Sequence, residues 1–386
     1  MAEKLCGVNG VIIQWARDYY HMTSKEVAKA VGVDVALYID WERGNDFPTY
    51  SKLKKISEVL RKPSAIFFFP NPPMMTSPIG DLRTIPEEVV KKFSRNVIIQ
   101  FEKAKSYQMS LQELYPGRRS LLSNCSLLPE DISELCTYLR QILEFPVSSQ
   151  KARKSTKVVF EIFREKFYEN GIYVFKESFK DDSISGLSLY DLEFPIIVIN
   201  NSMSFARQNF TLFHELYHFI SNTSGAEIIR DDYFSLLDSD QEKIEKACDE
   251  FANAFLVPMD DFYNELAKEE LSEKHIEKLA NLYSVSREAI MYKLLSIGKI
   301  SNSDYNALKE SFYGEAIRNK QKKKDNKSGG GNYYSTKMSY LGHQYAGEVF
   351  KQLFSGKIDS IRASEMLHSK VDHLPRLESA LYRGVE

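Results

Sequence analysis

The sequence predicts an α+β chain that is mostly helical, with one small sheet near its middle. Three observations carry this expectation. Apolar residues recur at three- and four-residue spacing through most of the chain, the period of an amphipathic helix. Two short runs rich in β-branched and aromatic residues interrupt that pattern, IYVFKES at 172–178 and PIIVI at 195–199. The first seventy residues divide into short amphipathic stretches separated by Gly32, Gly44 and Pro48, a helix-turn-helix pattern inside a bundle.

The 386 residues hold two to four domains at roughly 100–200 residues each. With 43% hydrophobic and 27% charged residues the chain can build a sizeable core. Lys+Arg 51 against Asp+Glu 53 gives a net charge of −2, so no global basic field draws it to nucleic acid or an anionic membrane. Any nucleic-acid contact must therefore come from a local element. Cys6, Cys125, Cys136 and Cys248 form neither a CxxC pair nor a dense framework, which suits a reducing cytoplasm. Gly7, Gly10, Gln14 and Arg17 interrupt what would otherwise be an apolar leader, and the richest apolar run, Ala65 to Phe69, is far short of the ~18 residues of a membrane span. These features predict a soluble cytoplasmic protein with no membrane partner.

Taken in order, residues 1–75 form the helix-turn-helix domain. Trp15, Ala16 and Tyr19 open it, and Thr23 or Ser24 caps the helix of TSKEVAKAVGV, with Glu26 in its first turn. Asp34 to Trp41 makes the next helix, and Leu53, Ile56 and Leu60 mark a third apolar stripe. FFFPNPPMMTSPIGD closes the module. A helical connector follows over 76–150, with long helices expected at Pro86 to Leu114 and Leu128 to Leu143 and a break at Tyr115-Pro-Gly. Residues 151–315 open with a helix from Val158, a strand, a glycine-containing turn and a second strand ending at Asn200 and Asn201. Helices then fill the remainder. The run KKKDNKSGGG places a solvated linker over 316–332, and short helices form the tail, 333–386.

Chemistry concentrates in two helical segments. In Thr211-Leu-Phe-His-Glu-Leu-Tyr-His-Phe-Ile, His214 and His218 stand one turn apart on one face, a spacing that suits two ligands of a tetrahedral zinc. Glu215, beside the first of them, is in position to take a proton from an attacking water. A hydrolytic zinc needs a third protein ligand and an open position. The segment Lys243 to Pro258 reads as a helix with an apolar stripe of Ile244, Ala247, Cys248, Phe251, Ala252 and Phe255. Glu245 and Asp249 lie one turn apart on the same side as each other, while Glu250 points away from Glu245. Glu245 is therefore the expected third ligand, and Asp249 the carboxylate that accepts the free ring N–H of a ligand histidine. Cys248 reads as a small buried hydrophobe rather than a ligand.

FTLFHELYHFI and IEKACDEFANAFLVP, preceded by the strand PIIVINN, resemble the ImmA/IrrE zinc metallopeptidases, whose pattern is FTLAHELGH followed by ExxAxxFAxxLLxP. The resemblance covers roughly Val158 to Ile300. It implies a minimal gluzincin core holding one Zn²⁺ per chain, with His214, His218 and Glu245 as ligands and Glu215 as the catalytic glutamate. It also implies a regulatory protein such as a repressor as the substrate. Cys248 stands where alanine is usual, and Tyr217 where glycine is usual. The strand Pro195 to Ile199 is expected to bind an extended substrate by strand addition.

VAKAVGV, Trp41-Glu-Arg-Gly44 and Pro48-Thr49 resemble XRE-type helix-turn-helix domains. That resemblance implies DNA as a partner of residues 12–62. The side chains pull the other way. Asp34 to Trp41 offers Asp34 and Asp40 and no Lys or Arg to base edges, and nine basic residues oppose seven acidic ones over 12–62. Docking of a protein is thus equally in view. Tyr38 and Trp41 are expected in the core. HIEKLANLYSVSREAIMYKLLSIG, similar to a second helix-turn-helix, reads as packing or substrate-holding structure. The alternative to a peptidase is a DNA- or protein-binding regulator whose zinc site is structural, sensory or vestigial.

Overall fold

A computed structural model describes residues 3–73, 85–123, 128–229, 233–312 and 332–383. The expected boundary at residue 75, Cys125 and all but the last residue of the linker 316–332 lie outside them. The chain divides into two compact units, Met1–Gly80 with Pro86–Glu102, and Asp81–Ile85 with Lys103–Glu386.

The first unit holds α1 (Gly10–Tyr19), α2 (Ser24–Val31), α3 (Val35–Arg43) and α4 (Tyr50–Leu60). α2 begins in a capping box, in which Thr23 Oγ1 accepts from the Glu26 N–H and the Glu26 carboxylate accepts from the Thr23 N–H at 2.7 Å. α2 and α3 both stop at left-handed glycines, Gly32 and Gly44, with φ of 73° and 74°. Asp34 lies just outside α3 and caps it by accepting from the Ala36 N–H. The half-buried Arg17–Glu42 ion pair at 2.6 Å, with Ser24 Oγ donating to the same carboxylate, ties α1 and α2 to α3. Tyr38 and Trp41 are buried with Ile12, Ile13, Val27, Leu53 and Ile56. Both rings are therefore core residues.

The helix expected over Pro86 to Leu114 is two helices, α5 (Glu87–Val90) and α6 (Arg95–Leu114). Between them Phe93 turns inward to stack on Phe101 at 6.0 Å, and its carbonyl meets His21 Nδ1 at 3.2 Å in place of a helical partner.

The second unit is built on a four-stranded sheet of β1 (Tyr173–Glu177), β2 (Ile184–Leu189), β3 (Ile196–Asn200) and β4 (Gly225–Ile228), in the order β1-β3-β2-β4. β1 and β3 are parallel; the other two pairs are antiparallel. The sequence pattern gave two of these strands. β2 occupies the stretch expected as a glycine-containing turn. Gly186 sits inside it because the helix above crosses closely: an added Cβ would lie 2.5 Å from Thr211 Cγ2. β4, four residues reading GAEI, is too short to announce itself. β3 is paired on both sides, so it cannot take up a substrate strand as expected of Pro195 to Ile199.

Around the sheet pack α7 (Ile132–Ile142), α8 (Val147–Lys151), α9 (Thr156–Glu169), α10 (Phe205–Ile220) and α11 (Ser239–Leu256), followed by α12 (Met259–Leu266), α13 (Glu273–Tyr283), α14 (Arg287–Ser296) and a helix α15 over 302–312. Phe213 of α10 stacks on Phe255 of α11 at 4.0 Å and meets Phe163 of α9 edge-on at 4.8 Å, which fixes the three helices against one another. α13 and α14, the segment similar to a second helix-turn-helix, bury Ile276, Leu279, Tyr283, Ile290 and Leu294 in this same core. The tail forms α16 (Tyr333–Leu341), α17 (His343–Phe354), α18 (Ser360–Met366) and α19 (Leu374–Arg383). It is pinned by the buried guanidinium of Arg164, which donates to the carbonyls of Val174, Ser339 and Tyr340 at 2.7–2.8 Å. Arg164→Ala would leave these acceptors unpaired, so we expect a loss of about 3 kcal/mol in urea denaturation and earlier proteolysis after residue 332.

Candidate metal centre

α10 starts where Ser204 Oγ accepts from the Arg207 N–H at 3.3 Å, and it lays one face on the sheet and another on α11. α11 starts in a capping box of Asp238 and Gln241 and ends before Pro258. Their packing brings together His214, His218, Glu245 and Asp249. His214 Nε2 lies 3.3 Å from Glu245 Oε2, and His218 Nε2 lies 3.7 Å from Glu245 Oε1. All three side chains are at most 3% exposed.

Both rings have their other nitrogen occupied. His214 Nδ1 meets Asp249 Oδ1 at 3.0 Å. Thr223 Oγ1 donates to the His218 carbonyl at 3.0 Å, so at 3.2 Å from His218 Nδ1 it acts as the acceptor of that N–H. Each Nδ1 thus carries a proton, and each Nε2 is the ring atom left to face a bound group. Both Nε2 atoms are buried without a hydrogen-bond partner. Such orphaned atoms are rare in a folded core and point to a bound group. Zinc fits the donor set. Bond lengths of about 2.0–2.1 Å at a tetrahedral centre put neighbouring N and O donors about 3.3 Å apart, against the 3.3 and 3.7 Å found.

Glu215 is fully buried. Its Oε2 accepts from Ser188 Oγ at 2.5 Å and its Oε1 from the Glu227 N–H at 2.9 Å. Burial pushes its pKa up to about 7, reinforced by Glu227 and Glu245 and opposed by His214 and the Ser188 bond. Burial also pulls His218 down to about 4, against the attraction of Glu245. His214 is raised well above its usual value because Asp249 and Glu245 outweigh its burial.

The structure adds residues that the sequence pattern did not single out. Ser188 comes from the unanticipated β2, Thr223 and Glu227 from the stretch after α10, and the buried Tyr233 reaches Glu245 Oε1 at 3.4 Å. Cys248 is buried as expected, and it also stands close to the two histidines. Its Sγ and one ring nitrogen of each histidine lie within 4.8 Å of one another. Gly225 also has a role here, since an added Cβ would stand 2.5 Å from the His218 ring. Gly225→Ala is therefore expected to weaken zinc binding by displacing His218, measured by competition with a chelating dye, and to destabilise the unit by about 1–3 kcal/mol.

An HExxH helix facing a glutamate-bearing helix beside a small sheet is the arrangement of a metallopeptidase domain. Residues 168–295 match the IrrE N-terminal-like domain, Peptidase_M78, and residues 13–67 match a helix-turn-helix family, HTH_3. The chain thus carries an IrrE-like peptidase domain behind an XRE-type helix-turn-helix. No curated protein matches it. A solved structure of a Mycobacterium tuberculosis transcriptional regulator is similar at 14% identity and a TM-score of 0.29, over 49% of this chain and 51% of that one, so the likeness spans about half of that protein's length. Among the described residues no helix is long and apolar enough to cross a membrane.

Proposed function

We infer that the chain is a cytoplasmic zinc-dependent endopeptidase that hydrolyses a peptide bond in a regulatory protein, a repressor being the expected class. One observation carries this reading: two buried histidines have occupied Nδ1 atoms and unpartnered Nε2 atoms beside one carboxylate. His214, His218 and Glu245 would hold one zinc per chain, with Asp249 orienting His214 and Thr223 orienting His218. When bound, zinc supplies a Lewis acid that acidifies water and polarises the peptide carbonyl. Glu215 takes the proton of the attacking water at a carboxylate oxygen and returns it to the leaving amine. Ser188 and the Glu227 N–H hold that carboxylate in place. Among the described residues β4 has a neighbour on one side only within the sheet, which supports an extended peptide lying along its other edge.

Elemental analysis tests the centre. Wild type should hold about one zinc per chain, and His214→Ala and Glu245→Ala should lose it. A wild-type protein that stays free of zinc after reconstitution would remove the peptidase reading.

The helix-turn-helix match favours a second reading, a regulator that works by binding DNA or protein through residues 12–62 and keeps zinc for structural, sensory or vestigial reasons. That reading requires a DNA footprint or partner affinity that Glu215→Gln leaves unchanged, with no cleavage by wild type.

A further inference from the structure

We propose that Cys248 is a fourth protein donor at the metal centre, so that the resting site is closed by His214, His218, Glu245 and Cys248 and opens only when the sulfur leaves. This rests on the metallopeptidase reading above.

Three observations converge on it. Cys248 follows Glu245 by three residues on α11, which sets the two side chains about 60° apart around the helix, both able to face α10. The thiol is fully buried, and its Sγ lies within 4.8 Å of one ring nitrogen of His214 and one of His218; Glu245 is outside that group of three and reaches the same two rings at 3.3 and 3.7 Å. The Nδ1 atoms are engaged by Asp249 and Thr223, so the nitrogens left to share a ligand with Sγ are the two Nε2 atoms, and these are the buried orphans. A tetrahedral zinc with Zn–S near 2.3 Å and Zn–N near 2.0–2.1 Å holds S and N donors about 3.6 Å apart. The separations of at most 4.8 Å found here would have to close by up to about 1.2 Å.

The chemistry of the donors gives the consequence. Thiolate is a favoured zinc ligand, and four protein donors make the closed pattern of structural sites, whereas hydrolytic sites keep one position open. Closing the site moves the thiol proton to solvent and forms one sulfur–metal bond; opening breaks that bond and returns a proton to sulfur. No electrons are transferred. A hydrolase built this way is latent, and whatever draws Cys248 off the metal activates it.

Cobalt replaces zinc as the probe. Co²⁺-loaded wild type should show a near-ultraviolet sulfur-to-cobalt charge-transfer band that is missing in Cys248→Ala and Cys248→Ser. Zinc affinity by dye competition should fall on the order of a hundredfold in both variants, since even outer partners of ligands contribute 10–100-fold. If the band is absent from wild type and zinc affinity is the same in all three proteins, Cys248 is a packing residue and the three-ligand centre stands without it. If wild type and variants alike fail to take cobalt or zinc, the metallopeptidase reading fails and this proposal with it. Serine keeps the shape of the thiol, so the comparison survives should the alanine variant not fold.

Discussion

Glu215→Gln should lower peptide cleavage on the order of 10²–10⁴-fold, the usual contribution of a positioned general base, while leaving zinc content and thermal midpoint at wild-type values. The substitution is nearly silent in shape. A glutamine Oε1 can still accept from the Glu227 N–H, and its amide can donate to Ser188 Oγ, which in wild type already accepts from the Gly225 N–H at 3.1 Å. What it cannot do is take a proton. The carboxyl in this buried pocket has its pKa raised to about 7, where a base both ionises and accepts protons effectively near neutrality. A bound cation would draw that value down, so the acid limb of the kcat/KM profile is expected below pH 7 and should vanish with the residual activity of the variant. The measurement is a comparison of new protein N-termini in cells producing either form, followed by kinetics on a peptide spanning the cleaved bond. Equal cleavage by both proteins would remove Glu215 from the mechanism.

The parts of this site that were legible in the sequence are those set by a single helix. His214 and His218 are related by one turn of α10, and Glu245 and Asp249 by one turn of α11, whose stop is written in Pro258, although its start lies at Ser239, four residues before the Lys243 expected. Helical periodicity fixes such pairs before any tertiary structure is known. Ser188, Thr223, Glu227 and Tyr233 were not legible because nothing local marks them. They reach the site through a strand interrupted by Gly186, a turn after α10 and a four-residue strand, and only packing against α10 and α11 gives them their roles. Cys248 shows a different limit. Its place on the apolar stripe of α11 suggested a buried hydrophobe, and it is one, but the stripe did not show that the buried position also borders His214 and His218. A stripe assignment gives depth and leaves the contact unspecified. The helix-turn-helix unit, by contrast, could be read almost whole, since its turns are enforced by a capping box and two left-handed glycines.

Removing zinc should destabilise the second unit and leave the first where it is. A ligand that binds only the folded state stabilises it by RT ln(1 + [L]/Kd), about 4 kcal/mol at a thousandfold excess over Kd, and each kcal/mol moves the midpoint of a unit this size by about 2 °C. Chelation is thus expected to lower the second unit's transition by about 8 °C. The chain provides its own separation of the two signals. Its two tryptophans, Trp15 and Trp41, both lie in the first unit, so tryptophan fluorescence follows that unit, while calorimetry records both. The fluorescence midpoint should be unmoved by chelator as the calorimetric transition shifts. His214→Ala should start at the lower midpoint and respond to chelator no further, because its Nε2 is the donor nearest Glu245. A wild-type transition indifferent to chelator would mean that the buried orphans of α10 are not holding a metal that matters to the fold. A fluorescence midpoint that falls in step with calorimetry would mean that the two units unfold as one.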